Sequence, residues 1–93
     1  MEKIAILFNK ETSEYFEDVE LYNFTMFVNI EGYLKMMLFS QGFISLYDVK
    51  KCLGMKVTID DLRYYIDDIN NCAFESTSLG NGEIRIVLLM KKI

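Results

Sequence analysis

Residues Val19–Gly42 read VELYNFTMFVNIEGYLKMMLFSQG, and how this stretch is divided decides the fold. Tyr22, Phe24, Met26 and Val28 alternate with Asn23, Thr25 and Phe27, the two-residue period of a strand. We therefore expect a strand over Val19–Val28, paired with a strand at the start of the chain; a helix through Glu14–Phe24 is the alternative reading. Asn29 can then cap a helix over Ile30–Gln41 that Gly42 stops. Ile30, Leu34, Met37 and Leu38 make one stripe on it, and Tyr33, Met36 and Phe39 carry apolar character most of the way round. A helix apolar on nearly all sides is buried on several sides. In a thin domain that burial calls for a second chain, so Tyr33, Met36, Met37 and Phe39 are candidate self-association residues of a homodimer. The competing reading is ordinary core.

Working outward from this stretch, Lys3–Phe8 (KIAILF) is rich in strand formers, with Ile4, Ile6 and Phe8 on one face and Ala5 and Leu7 on the other. Both faces are apolar, as in a strand covered on both sides. Asn9–Asp18 reads as a polar, acidic loop, with one helical turn around Ser13–Asp18 as the alternative. On the C-terminal side, Ser45 and Asp48 form an S-x-x-D capping box ahead of a helix over Leu46–Leu53, with Leu46, Val49 and Leu53 inward and Gly54 as its stop. Thr58 and Asp61 repeat the pattern ahead of a third helix, Ile59–Asn70, whose Ile59, Leu62, Ile66 and Ile69 fall at inward spacing. Cys72–Ser78 and Glu83–Lys91 flank Asn81-Gly82, the strongest short-range hairpin signal. Ile84, Ile86, Leu88 and Met90 share one face of the last strand and Val87 and Leu89 sit opposite with Arg85, so this strand is expected to be central or covered on both sides. The expected fold is α+β: N-terminal strands, three short helices in helix-turn-helix-like order, and a C-terminal β-hairpin in one small mixed or antiparallel sheet.

The chain has 93 residues, enough for one domain, and about half of them are apolar, which argues against disorder. No apolar run approaches the roughly 20 residues that cross a bilayer, and Met1–Phe8 reads as a first strand rather than a signal peptide. Two cysteines, Cys52 and Cys72, are fewer than a disulfide-stapled secreted domain usually carries, so reduced thiols in the cytoplasm are expected over a disulfide. His is absent, which removes Ser–His and Cys–His nucleophiles and the usual zinc sites. With no phosphate-binding glycine motif either, we expect neither an enzyme nor a cofactor or metal.

The formal charge of −4 is unevenly spread. Residues 1–31 hold Glu2, Glu11, Glu14, Glu17, Asp18, Glu20 and Glu31 against Lys3 and Lys10; residues 57–75 hold Asp60, Asp61, Asp67, Asp68 and Glu75 against Arg63. Basic stretches lie between and after them. On the expected third helix Asp60, Tyr64 and Asp68 fall at i, i+4 and i+8 and share one exposed line, with Asp61 and Asp67 beside it. That face is either solvated or a docking surface for a basic protein groove, with Tyr64 as its aromatic anchor. The stretch around Glu14, Tyr15, Glu17 and Asp18 is read the same way, as a solvated loop or a second binding element. The helix order also fits a winged helix-turn-helix. However, the helix that would enter DNA carries four Asp and one Arg, and only Lys50, Lys51 and Lys56 before it could meet phosphates. A transcription regulator or accessory factor, and a dimeric structural component of a larger assembly, are the alternatives to a protein-binding inhibitor.

The stretch GFISLYDVKKCLG (Gly42–Gly54) and the closing hairpin resemble small acidic proteins of phages and mobile elements in low-GC Gram-positive bacteria. Some of those are anti-CRISPR inhibitors that present carboxylates where a nucleic acid's phosphates would sit. The resemblance implies a host-cytoplasmic partner with a basic, nucleic-acid-binding surface, such as a CRISPR effector, and assigns no site residue.

Overall fold

In a computed structural model describing all residues, Met1–Ile93, the stretch that decides the fold is one continuous helix, α1, over Glu20–Gln41. The expected strand over Val19–Val28 does not form, and Asn29 lies in mid-helix rather than at a cap. The alternation of Tyr22, Phe24, Met26 and Val28 is overridden by a second pattern in the same residues. Asn23, Phe27, Leu34 and Leu38 recur at helical spacing, and these are the four positions that α1 buries. At 1.5 Å per residue α1 is about 33 Å long, close to the longest dimension of the molecule, 35 Å. Gly42 ends it in the left-handed conformation (φ 86°) and donates its N–H to the Leu38 carbonyl at 2.8 Å.

The strands form a single antiparallel sheet. They are β1 (Glu2–Phe8), β2 (Ile44–Ser45), β3 (Tyr64–Ile66), β4 (Glu75–Gly80) and β5 (Glu83–Lys92). β5 is the hub. It pairs with β1 from Glu2↔Met90 to Phe8↔Ile84, with β4 from Glu75↔Val87 to Gly80↔Glu83, and with β3 at Tyr64↔Lys92 and Tyr65↔Lys91. The short β2 adds to β3 at Ile44↔Ile66. The β4–β5 turn is made by Asn81 (φ 54°) and Gly82 (φ 73°), both in the positive-φ region that a tight hairpin of this kind needs.

One sheet face carries Ile6, Phe8, Ile44, Ile66, Ile84, Ile86, Leu88 and Met90 into the core, where Phe27, Leu34 and Leu38 of α1 meet them. Phe8 and Phe27 pack edge-to-face with ring centroids 4.9 Å apart, a geometry worth about 0.5–1.5 kcal/mol beyond burial. The other face, with Lys3, Ala5, Leu7, Arg85 and Leu89, is exposed. β1 is therefore covered on one side only, and its apolar Ala5 and Leu7 face solvent.

Two α-helices are present rather than three. The second, α2 (Leu46–Cys52), starts at the expected capping box: Ser45 Oγ accepts from Asp48 N at 3.1 Å, and Asp48 Oδ2 accepts from Ser45 N at 2.9 Å. Leu46, Val49 and Leu53 are buried as anticipated. The expected third helix, Ile59–Asn70, breaks into a 3₁₀ helix (Ile59–Arg63), β3, and a 3₁₀ turn (Ile69–Asn71). Asp61 does cap the first turn, accepting from Thr58 N at 2.9 Å. Tyr64 then turns extended (φ −106°, ψ 134°), because the end of β5 offers unpaired backbone groups to a Tyr-Tyr-Ile segment of high strand propensity. Only Ile66 of the four supposed inward residues is buried; Ile59, Leu62 and Ile69 are exposed. Without that helix there is no helix-turn-helix arrangement and no recognition helix.

Candidate docking surfaces

The acidic line expected on Ile59–Asn70 does not exist, because its members sit on different elements. Asp61 is buried at 5 % exposure. Its Oδ1 accepts from Lys50 Nζ at 3.0 Å while Oδ2 holds Thr58 N, so it is a structural pin between α2 and the 3₁₀ helix. Asp60 lies 3.5 Å from Arg63, an exposed pair. Asp67 pairs with Lys91 at 3.0 Å. That hydrogen bond, and then the Asp67 charge, raise the Lys91 ammonium above its ordinary pKa. Asp68 Oδ1 accepts from Asn70 N at 2.9 Å and caps the last 3₁₀ turn. Tyr64 is half-buried, its ring 5.5 Å from Lys92 Nζ. Each carboxylate in this segment already has a partner within the chain.

The other acidic segment is folded as a tied loop. Ser13 bridges Met55, its Oγ donates to the Leu53 carbonyl, and Glu14 N donates to the Gly54 carbonyl at 3.1 Å. Tyr15 lies directly against Gly54: a Cβ there would come within 2.5 Å of the ring, and Gly54 has φ +70°. Phe16 turns inward, 5.7 Å from Phe8. Asn23, almost fully buried, accepts from Glu17 N at 2.9 Å and donates to Glu17 O at 2.8 Å, which stitches the loop to α1. Glu14, Glu17 and Asp18 remain exposed and make no ion pair. The β4–β5 turn brings Glu83 to the same end, where it shares an open cleft with Glu11 and Asp18, alongside Lys10. Sequence reasoning did not connect Glu83 with this loop, since 65 residues separate it from Asp18.

The third surface is the outer side of α1. Phe39 is 90 % exposed, Met36 71 %, Leu21 69 %, Val28 68 %, Tyr22 60 % and Tyr33 55 %. At 3.6 residues per turn these side chains, with Thr25, Asn29, Gly32 and Ser40, fall in one arc of roughly 140°, opposite Phe27, Leu34 and Leu38. No charged residue lies in that arc; exposed Lys35 borders it about 20° beyond Val28, and half-buried Glu31 lies toward the inner side. Of the expected self-association residues, Tyr33, Met36 and Phe39 are on this face, while Met37 packs against the core. Leu21, Tyr22 and Val28 belong to the face but were hidden by the strand reading of Val19–Val28.

Cys52 and Cys72 are free thiols, and burial pushes both up from their ordinary pKa, with Asp48 adding to the effect at Cys52. At neutral pH both stay protonated and weakly nucleophilic. No group of three or more His, Cys, Asp or Glu side chains is placed to hold a metal ion. No helix is long and apolar enough to cross a membrane. No family model, curated protein or solved structure matches this chain.

Proposed function

We propose that this chain acts by binding another protein rather than by catalysis, and that the outer face of α1 is its principal docking surface. The observation that carries the reading is the uncharged arc from Leu21 to Phe39, with six large apolar side chains each more than half exposed. Contiguous apolar patches beyond a few hundred Å² are rare on monomers that have no partner, and they mark interaction sites. The patch sits on a rigid helix whose opposite side is locked into the core, so docking needs no folding of the surface itself. Charge burial imposes little penalty on this face, and apolar anchors such as Phe39 and Met36 supply the contact energy.

The test compares Val28→Glu and Phe39→Glu with the parent chain as baits in affinity capture. Both positions are exposed, so the far-UV spectrum should be unchanged. Specific capture lost in both variants supports the surface; capture indifferent to both overturns it.

A second reading rests on a separate observation: Glu11, Asp18 and Glu83 share one open cleft with Lys10, Glu17 adjoins Asp18, and Glu14 lines a neighbouring cleft with Lys10 and Lys56, none of these carboxylates being in an ion pair. In it the chain is an inhibitor whose carboxylates replace phosphates on a basic, nucleic-acid-binding surface. The resemblance to phage and mobile-element proteins would make that surface part of a host defence protein such as a CRISPR effector in the cytoplasm. Its signature is salt dependence: affinity for such a partner falls steeply as salt rises, and the triple change Glu14→Gln, Glu17→Gln, Asp18→Asn flattens that slope. An unchanged slope removes this reading.

A further inference from the structure

The occupant of the α1 face follows from its area, its lack of charge and the arrangement of large and small residues along it. Phe39, Tyr22 and Tyr33 offer roughly 400 Å², taking about 200 Å² for each aromatic side chain; Leu21, Val28 and Met36, similarly exposed, add a comparable amount. The total approaches the roughly 800 Å² per partner that a standard specific interface buries. A symmetric contact places each residue against a copy of its own surface, so any charge on the face would be opposed by like charge near the axis. This chain carries −4 overall, yet the arc carries no charge at all, so one copy can meet another there without that penalty.

We propose that the face pairs with a second copy of this chain, α1 against α1 in antiparallel orientation, the axis crossing the outer face midway between Val28 and Gly32. This deepens the docking reading above and rests on it. In that register Leu21 meets Phe39 of the other copy, and Val28 meets Gly32. Gly32 has open space around its Cα, with nothing within 4 Å of where a Cβ would stand, so it forms a shallow hole at the centre that accepts the Val28 side chain. Large side chains at the two ends and a small one near the middle is a self-complementary profile under reversal. Charge selects the orientation. Parallel pairing would bring the Glu17 and Asp18 ends of the two copies together, whereas antiparallel pairing separates them by about 33 Å, the length of the helix. The helix macrodipoles also oppose favourably in the antiparallel pair.

Light scattering on the full chain should return twice the 10.9 kDa of one chain at micromolar concentration. Val28→Glu and Phe39→Glu should each return the single-chain mass with an unchanged far-UV spectrum. In a Cys52→Ser background, oxidising a mixture of Leu21→Cys and Phe39→Cys chains should cross-link the two to each other, while neither alone should cross-link. A single-chain mass at every concentration overturns the proposal, as does a dimer that survives both Glu substitutions. Cross-linking of Leu21→Cys with itself overturns the antiparallel register. The docking reading fails separately: a monomer whose protein capture is still abolished by Val28→Glu keeps that surface and loses only the second copy as its occupant. A monomer whose capture is indifferent to the substitution loses both.

Discussion

The two acid-rich segments of this chain, residues 11–20 and 60–68, have similar composition and opposite fates. In the second, Asp61 is buried on Lys50, Asp60 and Asp67 lie beside Arg63 and Lys91, and Asp68 caps a turn. In the first, Glu11, Glu14, Glu17 and Asp18 have no cation partner, although the backbone beneath them is tied down by Ser13, Asn23 and the Tyr15–Gly54 contact. A count of acidic residues therefore says little about what charge a partner meets. What matters is whether the fold closes an ion pair on each carboxylate, and here it brings Lys50 and Lys91 from other elements into contact with one segment, while Lys56 reaches the Glu11 and Glu14 cleft without pairing.

The comparison can be broken most forcefully at Asp61. Asp61→Ala leaves Lys50 without its partner and Thr58 N without its cap. We expect a loss of about 2–4 kcal/mol in urea denaturation, toward the low side for a broken buried pair because Lys50 keeps some solvent access. Glu14→Ala, by contrast, should fall within about 0.5 kcal/mol of the parent, as exposed substitutions usually do. A smaller Asp61 effect would mean that the two segments differ less than their geometry implies.

Next in size is Gly54→Ala, which meets both a positive φ and the Tyr15 ring. A cost of about 1–3 kcal/mol is expected, partly recovered in the double change with Tyr15→Ala, since removing the ring relieves the clash and leaves the backbone strain. Full additivity of the two substitutions would show that Tyr15 does not hold the loop against Gly54. The triple change Glu14→Gln, Glu17→Gln, Asp18→Asn should leave stability within about 0.5 kcal/mol of the parent, measured by thermal or chemical unfolding, because none of the three side chains is paired.

The smallest effect belongs to Asp67 and Lys91. The Lys91 pKa is raised in the folded chain, so the protonated form is favoured by folding. The pair's contribution is fully present below the ordinary lysine value of about 10.4 and fades as pH rises through the shifted value. Asp67→Asn should remove that alkaline dependence and leave stability near neutrality almost unchanged. An unaltered stability profile above pH 10 would show that the pair is solvated away.

The same contrast between local pattern and tertiary placement governs how much could be read in advance. The Asn81-Gly82 hairpin, the Ser45/Asp48 capping box, the stop at Gly42 and the inward alternation of Ile84 to Met90 were all legible, because each is decided by a few adjacent residues and their own φ, ψ and hydrogen-bonding preferences. Val19–Val28 and Ile59–Asn70 were not, since each satisfies more than one local template. Tyr22–Val28 alternates like a strand while Asn23 and Phe27 keep helical spacing with Leu34 and Leu38. Ile59–Ile69 keeps helical spacing while Tyr64–Ile66 has strand chemistry. The sheet arbitrated both: β5 pairs with β1 and β4, leaving residues 19–28 to cover the core as helix, and its C-terminal end recruits Tyr64 and Tyr65 as a strand.

For the candidate surfaces the division is similar. Residue types alone determined that the chain is acidic and that His-based chemistry is absent, and left Tyr33, Met36 and Phe39 open between core and contact face. Only the tertiary structure decided that Asp61 is a buried pin, that Glu83 joins the Glu11–Asp18 end, and that Leu21, Tyr22 and Val28 extend the apolar face along all of α1. Charge and apolarity are carried by single residues and are visible in a string of letters. Pairing, burial and the continuity of a surface depend on which distant residues the fold brings within a few ångströms, and that is set by competition among elements for one sheet and one core.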